Sequence, residues 1–172
     1  MITAYLKTPL IMQAQTVDEH NKTLLEDALW IDLHHPSKEE QRLVEEALRL
    51  EIPAPEEMQE IEISSRLYKE NSTLFMTATM VAKSNTDEPK NGAVTFILSE
   101  KQLVTVRYLD PLPFQAFSSR IARLPQEEQS ALNILLGLLE SAIDRIADIL
   151  EVIGHNLDQE TQQVFRPTEI PG

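Results

Sequence analysis

Short runs of alternating apolar and polar residues at the start of the chain predict β-strands at 2–6, 10–13 and 28–33. After the third strand the apolar spacing changes to three and four residues, which predicts a helix. Ser37 and Glu40 have the spacing of a capping box, so this helix is expected to begin there and to end before Pro53.

The middle of the chain returns to a strand-like pattern after one more short helix, which is predicted at 56–61 because Pro55 suits a first helical turn. Strands are predicted at 65–68, 74–81, 94–98 and 103–108. A polar link at 84–92 and a short link at 99–101 join neighbouring strands. Such short connections favour an antiparallel meander.

From Pro113 onward the pattern is helical, with one helix ending near Pro125 and a longer one at 127–163 that would measure about 55 Å. Apolar residues recur along the longer helix at Leu132, Leu135, Leu136, Leu139, Ile143, Ile146, Ile149, Leu150, Ile153 and Leu157. This helix exceeds the width of a small domain, so another helix or another subunit is expected to cover its apolar stripe. The tail at 166–172 cannot extend a helix, and we interpret the chain as a piece of a longer protein.

Length and composition fit one domain spanning 1–172, because 172 residues of which 42% are hydrophobic can bury a core. The patterns divide it into a sheet with short helices at 1–112 and a helical part at 113–165. The predicted fold class is therefore α/β in the α+β sense.

Charge and residue usage exclude several classes of protein. The 28 acidic and 15 basic residues give a net charge of -13, which argues against nucleic acid as a partner. The absence of cysteine excludes disulfides and thiolate metal sites. The first residues lack the pattern of a signal peptide, and the most apolar stretch, 131–153, is interrupted by charged residues, so no membrane span is predicted.

A group of glutamates is the best candidate for metal chemistry. Glu56, Glu57 and Glu60, followed by Glu62, have spacings that can place carboxylates on one face of a short helix. Mg²⁺ needs only one or two carboxylates because it keeps several of its waters. The same residues also fit an ordinary solvated helix start, where acidic side chains favour the helix dipole. On the residues alone, this second interpretation is favoured.

Other candidate residues favour structural roles. Asp32 ends a predicted strand, but no partner base or glycine-rich phosphate loop accompanies it, so capping of the following turn is expected. His34 and His35 are adjacent, and their side chains are expected to diverge without a third ligand. Trp30 is expected in the core. We therefore predict that the protein is not an enzyme.

Several stretches, in order, resemble the CorA family of magnesium and cobalt transporters. They are Trp30-Ile31-Asp32-Leu33 with Pro36 and Glu39-Glu40; Pro55-Glu56-Glu57 through Glu60-Ile61-Glu62 to Ser64-Ser65-Arg66-Leu67-Tyr68; Val94-Thr95-Phe96-Ile97-Leu98 followed by Leu103-Val104-Thr105-Val106-Arg107; and Leu138-Leu139-Glu140 with Ile143-Asp144-Arg145-Ile146-Ala147-Asp148. Each fragment occurs in many folds, and their order and spacing make the match specific.

The resemblance implies a cytoplasmic domain with a mixed, largely antiparallel sheet between helical layers and a long C-terminal helix. It also implies a homopentamer at the bacterial inner membrane, with regulatory cation sites at subunit interfaces near the glutamates. Of these, Glu56 or Glu57 best matches a ligand-bearing position, and Glu60 completes the candidate set. The expected ion is Mg²⁺ or another divalent cation, held weakly in a regulatory role.

The resemblance stops short of the pore. The family's Gly-Met-Asn motif, both membrane helices and the preceding stalk are not found among these 172 residues. Translocation is therefore not assigned to them, and contact with the membrane is expected only through the missing C-terminal helices. The fragment itself is expected to be soluble.

Two alternative functions stay open. A zinc-transporting relative of the same superfamily would use the same architecture with another ion. A free-standing acidic adaptor would present its long helix to a partner protein.

Overall fold

The structure is a computed structural model that describes residues 1–9, 11–83, 86 and 88–164. Seven strands form one sheet: β1 (Ile2–Lys7), β2 (Met12–Val17), β3 (Ala28–His34), β4 (Leu67–Glu70), β5 (Thr73–Ala82), β6 (Lys90–Leu98) and β7 (Leu103–Arg107). Their spatial order is β2-β1-β3-β7-β6-β5-β4. β3 and β7 pair in parallel, and the other neighbouring pairs are antiparallel. The sheet is mixed and largely antiparallel, as predicted.

Helices flank the sheet: α1 (Leu24–Asp27), α2 (Lys38–Leu48), α3 (Ile63–Arg66), α4 (Leu112–Ile121) and α5 (Ala131–Val164). The capping box predicted for α2 is confirmed, because the Ser37 side chain accepts from the Glu40 backbone N–H and the Glu40 side chain accepts from that of Ser37. Arg49 ends α2 in the left-handed conformation, with φ of 53°. At 34 residues, α5 is about 51 Å long.

Each face of the sheet has its own hydrophobic core. One core packs α1, α2 and the loop after α2 against the sheet through residues such as Leu25, Val44 and Met58. The other packs α4 and α5 against the opposite face and centres on Trp30, which is 1% exposed. The Trp30 indole stacks on Tyr5 with ring centroids 4.1 Å apart, so its predicted place in the core is confirmed.

The contact between α4 and α5 depends on one glycine. Gly137 faces the ring of Phe117 so closely that any added side chain would collide with it. Arg120, one turn further along α4, donates to the Ser141 hydroxyl on α5. Both contacts join α4 and α5 in one layer over the sheet.

Several predicted boundaries are wrong. β2 lies at Met12–Val17, not at 10–13, and Leu10 lies outside the described residues. The short helix predicted at 56–61 is only a 3-10 turn at Glu57–Gln59, because the backbone becomes extended at Glu60. The predicted start of β4 is occupied by α3.

Two further differences concern the helices. The short α1 was not predicted. The long helix begins later than predicted, after a separate 3-10 turn at Gln126–Glu128, because the Ser130 hydroxyl accepts from the Asn133 backbone N–H at its first turn. Parts of the predicted link at 84–92 and the whole tail at 166–172 lie outside the described residues. In the described part of the chain, no helix combines the length and apolar character needed to cross a bilayer.

Candidate cation site

The loop between α2 and β4 is held against the core by two apolar anchors. Ile52 and Met58 are 6% and 2% exposed. The Ile52 backbone N–H donates to the Glu45 carboxylate on α2 at 2.9 Å. Met58 is the buried residue of the 3-10 turn. The polar residues between and after these anchors must therefore face solvent along the edge of the sheet.

These polar residues form a cleft of about 330 Å³ between the loop and strands β4 and β5. Its walls include four carboxylates together with a serine and a tyrosine: Glu51, Glu57, Glu60, Glu70, Ser65 and Tyr68. No basic side chain lines it. We call this feature the acidic cleft.

The structure brings two of the three candidate ligands together. Glu57 and Glu60 line the acidic cleft, whereas Glu56 does not. The Glu57 carboxylate also accepts a hydrogen bond from the Ala54 backbone N–H at 2.7 Å, which limits the positions it can adopt. The Glu56 charge instead acts on Tyr108, whose pKa is raised by burial and further by this charge.

Tyr68 reports the negative field of the acidic cleft. Burial raises the pKa of this phenol, and the charges of Glu70, Glu57 and Glu51 raise it further. Its ring stacks on Phe75 at 4.7 Å with an interplanar angle of 4°, so its position is fixed by the sheet. Carboxylates that destabilise a nearby phenolate would equally stabilise a nearby cation.

The acidic cleft has a positively charged neighbour. Arg66 Nε donates to the Glu60 backbone carbonyl at 2.6 Å. Its Nη1 lies 3.4 Å from the Thr79 hydroxyl. Arg66 therefore fixes the backbone at Glu60 and leaves the Glu60 carboxylate directed to the cleft.

The donor set of the acidic cleft fits a hydrated divalent cation. In the part of the chain that the structure describes, no group of three or more His, Asp or Glu side chains is arranged to hold a metal ion by itself. Mg²⁺ binds through one or two carboxylates and keeps its remaining waters, so Glu57 and Glu60 can contact it without a complete protein cage. The cleft offers oxygen donors only, which suit Mg²⁺ better than Zn²⁺.

Sequence reasoning missed Glu51, Glu70 and Tyr68 as members of this site. Glu51 lies near the start of the loop and Glu70 ends β4, so only the fold brings these two distant residues to one cleft. The one available signal was the general excess of acidic residues, which does not reveal position.

A second polar cluster lies in the interior, at the ends of the parallel strands β3 and β7. Asp32 accepts from Arg107 Nη2 at 2.8 Å and from the Thr105 hydroxyl at 2.7 Å. The Thr105 hydroxyl in turn accepts from the Trp30 indole N–H at 3.0 Å. Asp32 therefore has a structural role, as predicted, although its side chain hydrogen-bonds to the neighbouring strand β7 and does not cap a turn.

Arg107 completes this cluster, which we call the buried network. Burial opposes its charge, but hydrogen bonds and ion pairs with Asp32 and Asp110 raise its pKa. Its Nη1 donates to Asp110 Oδ1 at 2.8 Å and to the Leu109 carbonyl, and the guanidinium lies 4.6 Å from the centre of the Phe114 ring. Every member has a partner, so the network offers no open position to a ligand.

The two adjacent histidines do not diverge as expected. His35 has a left-handed backbone, with φ of 46°, which brings its ring to 4.8 Å from that of His34. Burial and the charge of Arg107 lower the pKa of His34. Neither belongs to a group of metal ligands among the described residues.

Comparison with known proteins gives consistent matches. The family model described as "CorA-like Mg2+ transporter protein" matches residues 26–171. A magnesium transport protein CorA from Campylobacter jejuni is 30% identical over 162 residues, which cover 89% of this chain and 50% of that protein. One from Mannheimia succiniciproducens is 27% identical, over 83% of this chain and 45% of that protein. The chain thus spans about half the length of the curated relatives it matches.

Solved structures agree on the fold. The soluble domain of CorA from Methanocaldococcus jannaschii matches with a TM-score of 0.66 at 12% identity, covering 95% of this chain and 64% of that chain. The full-length CmaX protein matches with a TM-score of 0.65 at 13% identity, covering 99% of this chain and 54% of that chain. At these identities the likeness concerns the fold alone.

Proposed function

Because this chain belongs to the CorA-like Mg²⁺ transporter family, we propose that it is a regulatory and assembly domain of a divalent-cation transporter. In this proposal residues 1–172 form one domain on the cytoplasmic side of a bacterial inner membrane. Transport itself is carried out by other parts of a longer homopentameric protein, and the domain catalyses no reaction. The relatives, about twice as long and described as magnesium transport proteins, support this assignment.

The acidic cleft carries the regulatory part of the proposal. Its four carboxylates repel one another, and three of them add to the burial that raises the pKa of Tyr68. A divalent cation bound by Glu57 and Glu60 would screen this repulsion. We propose that carboxylates of a neighbouring subunit complete the site, so that cation binding holds the subunits together and cation loss lets them separate.

Mg²⁺ is the proposed ion, with Co²⁺ as a second substrate of the full-length protein. The zinc alternative is less well supported, because His and Cys ligands are absent from the walls of the acidic cleft. Within one subunit only weak binding is expected, since few of the six positions around Mg²⁺ would be filled by protein atoms.

Calorimetric titration of this chain with MgCl₂ tests the site. We expect weak binding, in the range of about 1 mM, that decreases at least about fivefold when Glu57 and Glu60 are both replaced by glutamine, because both carboxylate charges are lost. Glutamine keeps an oxygen that can accept the Ala54 N–H, so the loop should stay folded.

The matched control is the pair Glu100→Gln and Glu151→Gln, which removes two exposed charges outside the acidic cleft. This variant changes the net charge equally and should leave the Mg²⁺ affinity unchanged. Equal loss of binding in both double variants would show that Mg²⁺ responds only to net charge, and the proposed site would be wrong.

A further inference from the structure

The segment that joins β3 to α2 begins beside the buried network. His34 is the last residue of β3, and the parallel register of the two central strands places it directly next to Arg107 of β7. Side chains alternate between the two faces along a strand, so His34 shares the face that carries Asp32. We call residues 35–37, which follow His34 and lead to α2, the link.

One ring nitrogen of His34 is in an unfavourable position. Its Nε2 is buried and has no hydrogen-bond partner among the residues that the structure describes. The ring of His35 lies alongside, with the two ring centroids 4.8 Å apart. A neutral imidazole can leave one nitrogen unpaired at a modest cost, whereas an imidazolium must bury a charge together with an unpaired N–H. Protonation of His34 is therefore more costly here than in water.

The charges around His34 do not compensate for this cost. Arg107 opposes protonation, and so does His35 when it is charged, whereas Asp110 and Asp32 favour protonation. Both carboxylates are already paired with Arg107, because Asp32 accepts from its Nη2 and Asp110 from its Nη1, each at 2.8 Å. Burial and the Arg107 charge therefore prevail and lower the pKa of His34.

The other charges near His34 form an ion pair of their own. The α-amino group of Met1 donates to the His34 carbonyl oxygen at 3.0 Å and to the Glu40 carboxylate on α2 at 2.8 Å. Burial opposes ionisation of Glu40, but its hydrogen bonds with this amine and with the Ser37 N–H lower its pKa. The amine and the carboxylate therefore stay charged between about pH 5 and 7, and the charge that changes near the link is that of the histidines.

The position of His34 gives its protonation a structural consequence. The next residue, His35, has a left-handed backbone and donates its N–H to the Arg107 carbonyl at 2.9 Å. This hydrogen bond fastens the link to β7 immediately after His34. Ser37 then caps α2, the helix that also holds the loop of the acidic cleft. Movement of the His34 ring therefore acts on the junction between the sheet and α2.

We propose that the link is an acid-sensitive switch controlled by His34. When His34 takes up a proton, the imidazolium leaves its place beside Arg107 for water, and the hydrogen bond from the His35 N–H to β7 breaks. At neutral pH the ring is uncharged and the link is closed. The switch depends on the contacts of His34, so it does not rest on cation binding at the acidic cleft.

The sign of the pH dependence follows from the lowered pKa of His34. The folded chain binds this proton less tightly than the unfolded chain does, so the closed link is fully stable above pH 6.5, the ordinary value for histidine, and becomes less stable as the pH falls below it. NMR titration of the histidine rings tests this step. The ring that is missing from the spectrum of His34→Gln should titrate with a midpoint below 6.5 in the wild-type chain.

Amide hydrogen exchange tests the opening itself. Between about pH 7 and about pH 5.5, and after correction for the intrinsic exchange rate, the His35 amide of the wild-type chain should exchange at least about threefold faster, because protonation favours the open link. His34→Gln stays uncharged at both pH values and should show no acceleration.

The matched control is His155→Gln, the same substitution at an exposed histidine of α5. It should keep the acceleration of the wild-type chain, and urea unfolding at about pH 7 should show that both variants are folded. If His34→Gln does not fold, the wild-type titration and exchange still decide. A His34 midpoint at or above 6.5, a wild-type His35 amide that does not accelerate, or an acceleration that persists in His34→Gln would each overturn the switch.

Discussion

The buried network and the acidic cleft show two opposite uses of charged residues. In the buried network Asp32 and Arg107 are almost fully enclosed, and each hydrogen-bonding group has a partner. In the acidic cleft the negative charges of Glu57 and Glu60 act on each other, and no basic residue lines the cleft walls. The first arrangement stabilises the fold, whereas the second costs stability unless a cation joins it.

The difference follows from position in the sheet. β3 and β7 are central and parallel, so groups near their ends are covered by α4 and must pair within the protein. β4 is an edge strand, and its groups remain in water. Removing charge from the two clusters should therefore change stability in opposite directions.

The largest effect is expected from Arg107→Ala. This change leaves the Asp32 carboxylate buried without its partner, and breaking a buried pair in this way typically destabilises a protein by about 3–5 kcal/mol. Urea unfolding followed by tryptophan fluorescence is a suitable measurement, because Trp30 is the only tryptophan and belongs to the same network.

Arg120→Ala is the matched control for Arg107→Ala. Arg120 also lies over an aromatic ring, that of Phe117, but it is exposed and bonds only a hydroxyl at the surface. Its loss should cost less than about 1 kcal/mol. Similar costs for the two variants would show that Asp32 is solvated after Arg107 is removed, which contradicts the enclosed network.

An intermediate effect is expected at high pH from Tyr5, which stacks on Trp30 beside the buried network. Burial, reinforced by the Asp32 charge, raises the pKa of Tyr5 from 10.0 to about 12. The folded state therefore holds the phenol proton more tightly than the unfolded chain does. The resulting contribution is constant below pH 10 and is lost as the pH rises towards about 12.

Over that interval the wild-type chain should lose about 2 kcal/mol more than Tyr5→Phe, which has no proton to release. Unfolding free energies of both chains at about pH 9 and pH 11.5 give the difference. Tyr68→Phe, at the more exposed tyrosine of the acidic cleft, should change the pH dependence less. A larger effect at Tyr68 would reverse the proposed contrast between the interior and the cleft.

The sequence was informative where local rules decide the structure. The Ser37–Glu40 capping box, the burial of Trp30 and most strands were predicted, because each depends on residues close together in the chain. The register of β2 was not, since its alternation of apolar and polar residues is weak and pairing with β1 fixes it.

The two charged clusters could not be predicted as clusters. Asp32 and Arg107 are distant in sequence and meet only because β3 and β7 pair in parallel across the sheet. Glu57 and Glu60 were predicted to share a helix face with Glu56, yet those two share a cleft through an irregular loop, and Glu56 does not line it. Spacing identified the candidate acids, and tertiary contacts decided which of them lie together.

The smallest effect, and the one with the opposite sign, is expected in the acidic cleft. Glu60→Gln removes one of four repelling charges and breaks no side-chain hydrogen bond that the structure shows at this residue. At low ionic strength it should stabilise the chain by a few tenths of a kcal/mol, about the size of an exposed charge interaction. Differential scanning calorimetry at about 10 mM salt would detect the upward shift in Tm, and at about 0.5 M salt, where screening shortens the range of charge interactions, the shift should vanish.

Addition of Mg²⁺ sharpens the same comparison. About 10 mM MgCl₂ should raise the Tm of the wild-type chain more than that of Glu60→Gln, because a ligand that binds only the folded state stabilises it in proportion to its occupancy. Arg107→Ala should keep the full Mg²⁺ response despite its low stability, since the buried network lies apart from the acidic cleft. If Mg²⁺ stabilised wild type and Glu60→Gln equally, the charges of the cleft would be ordinary surface charges, and the contrast between the two clusters would concern folding alone.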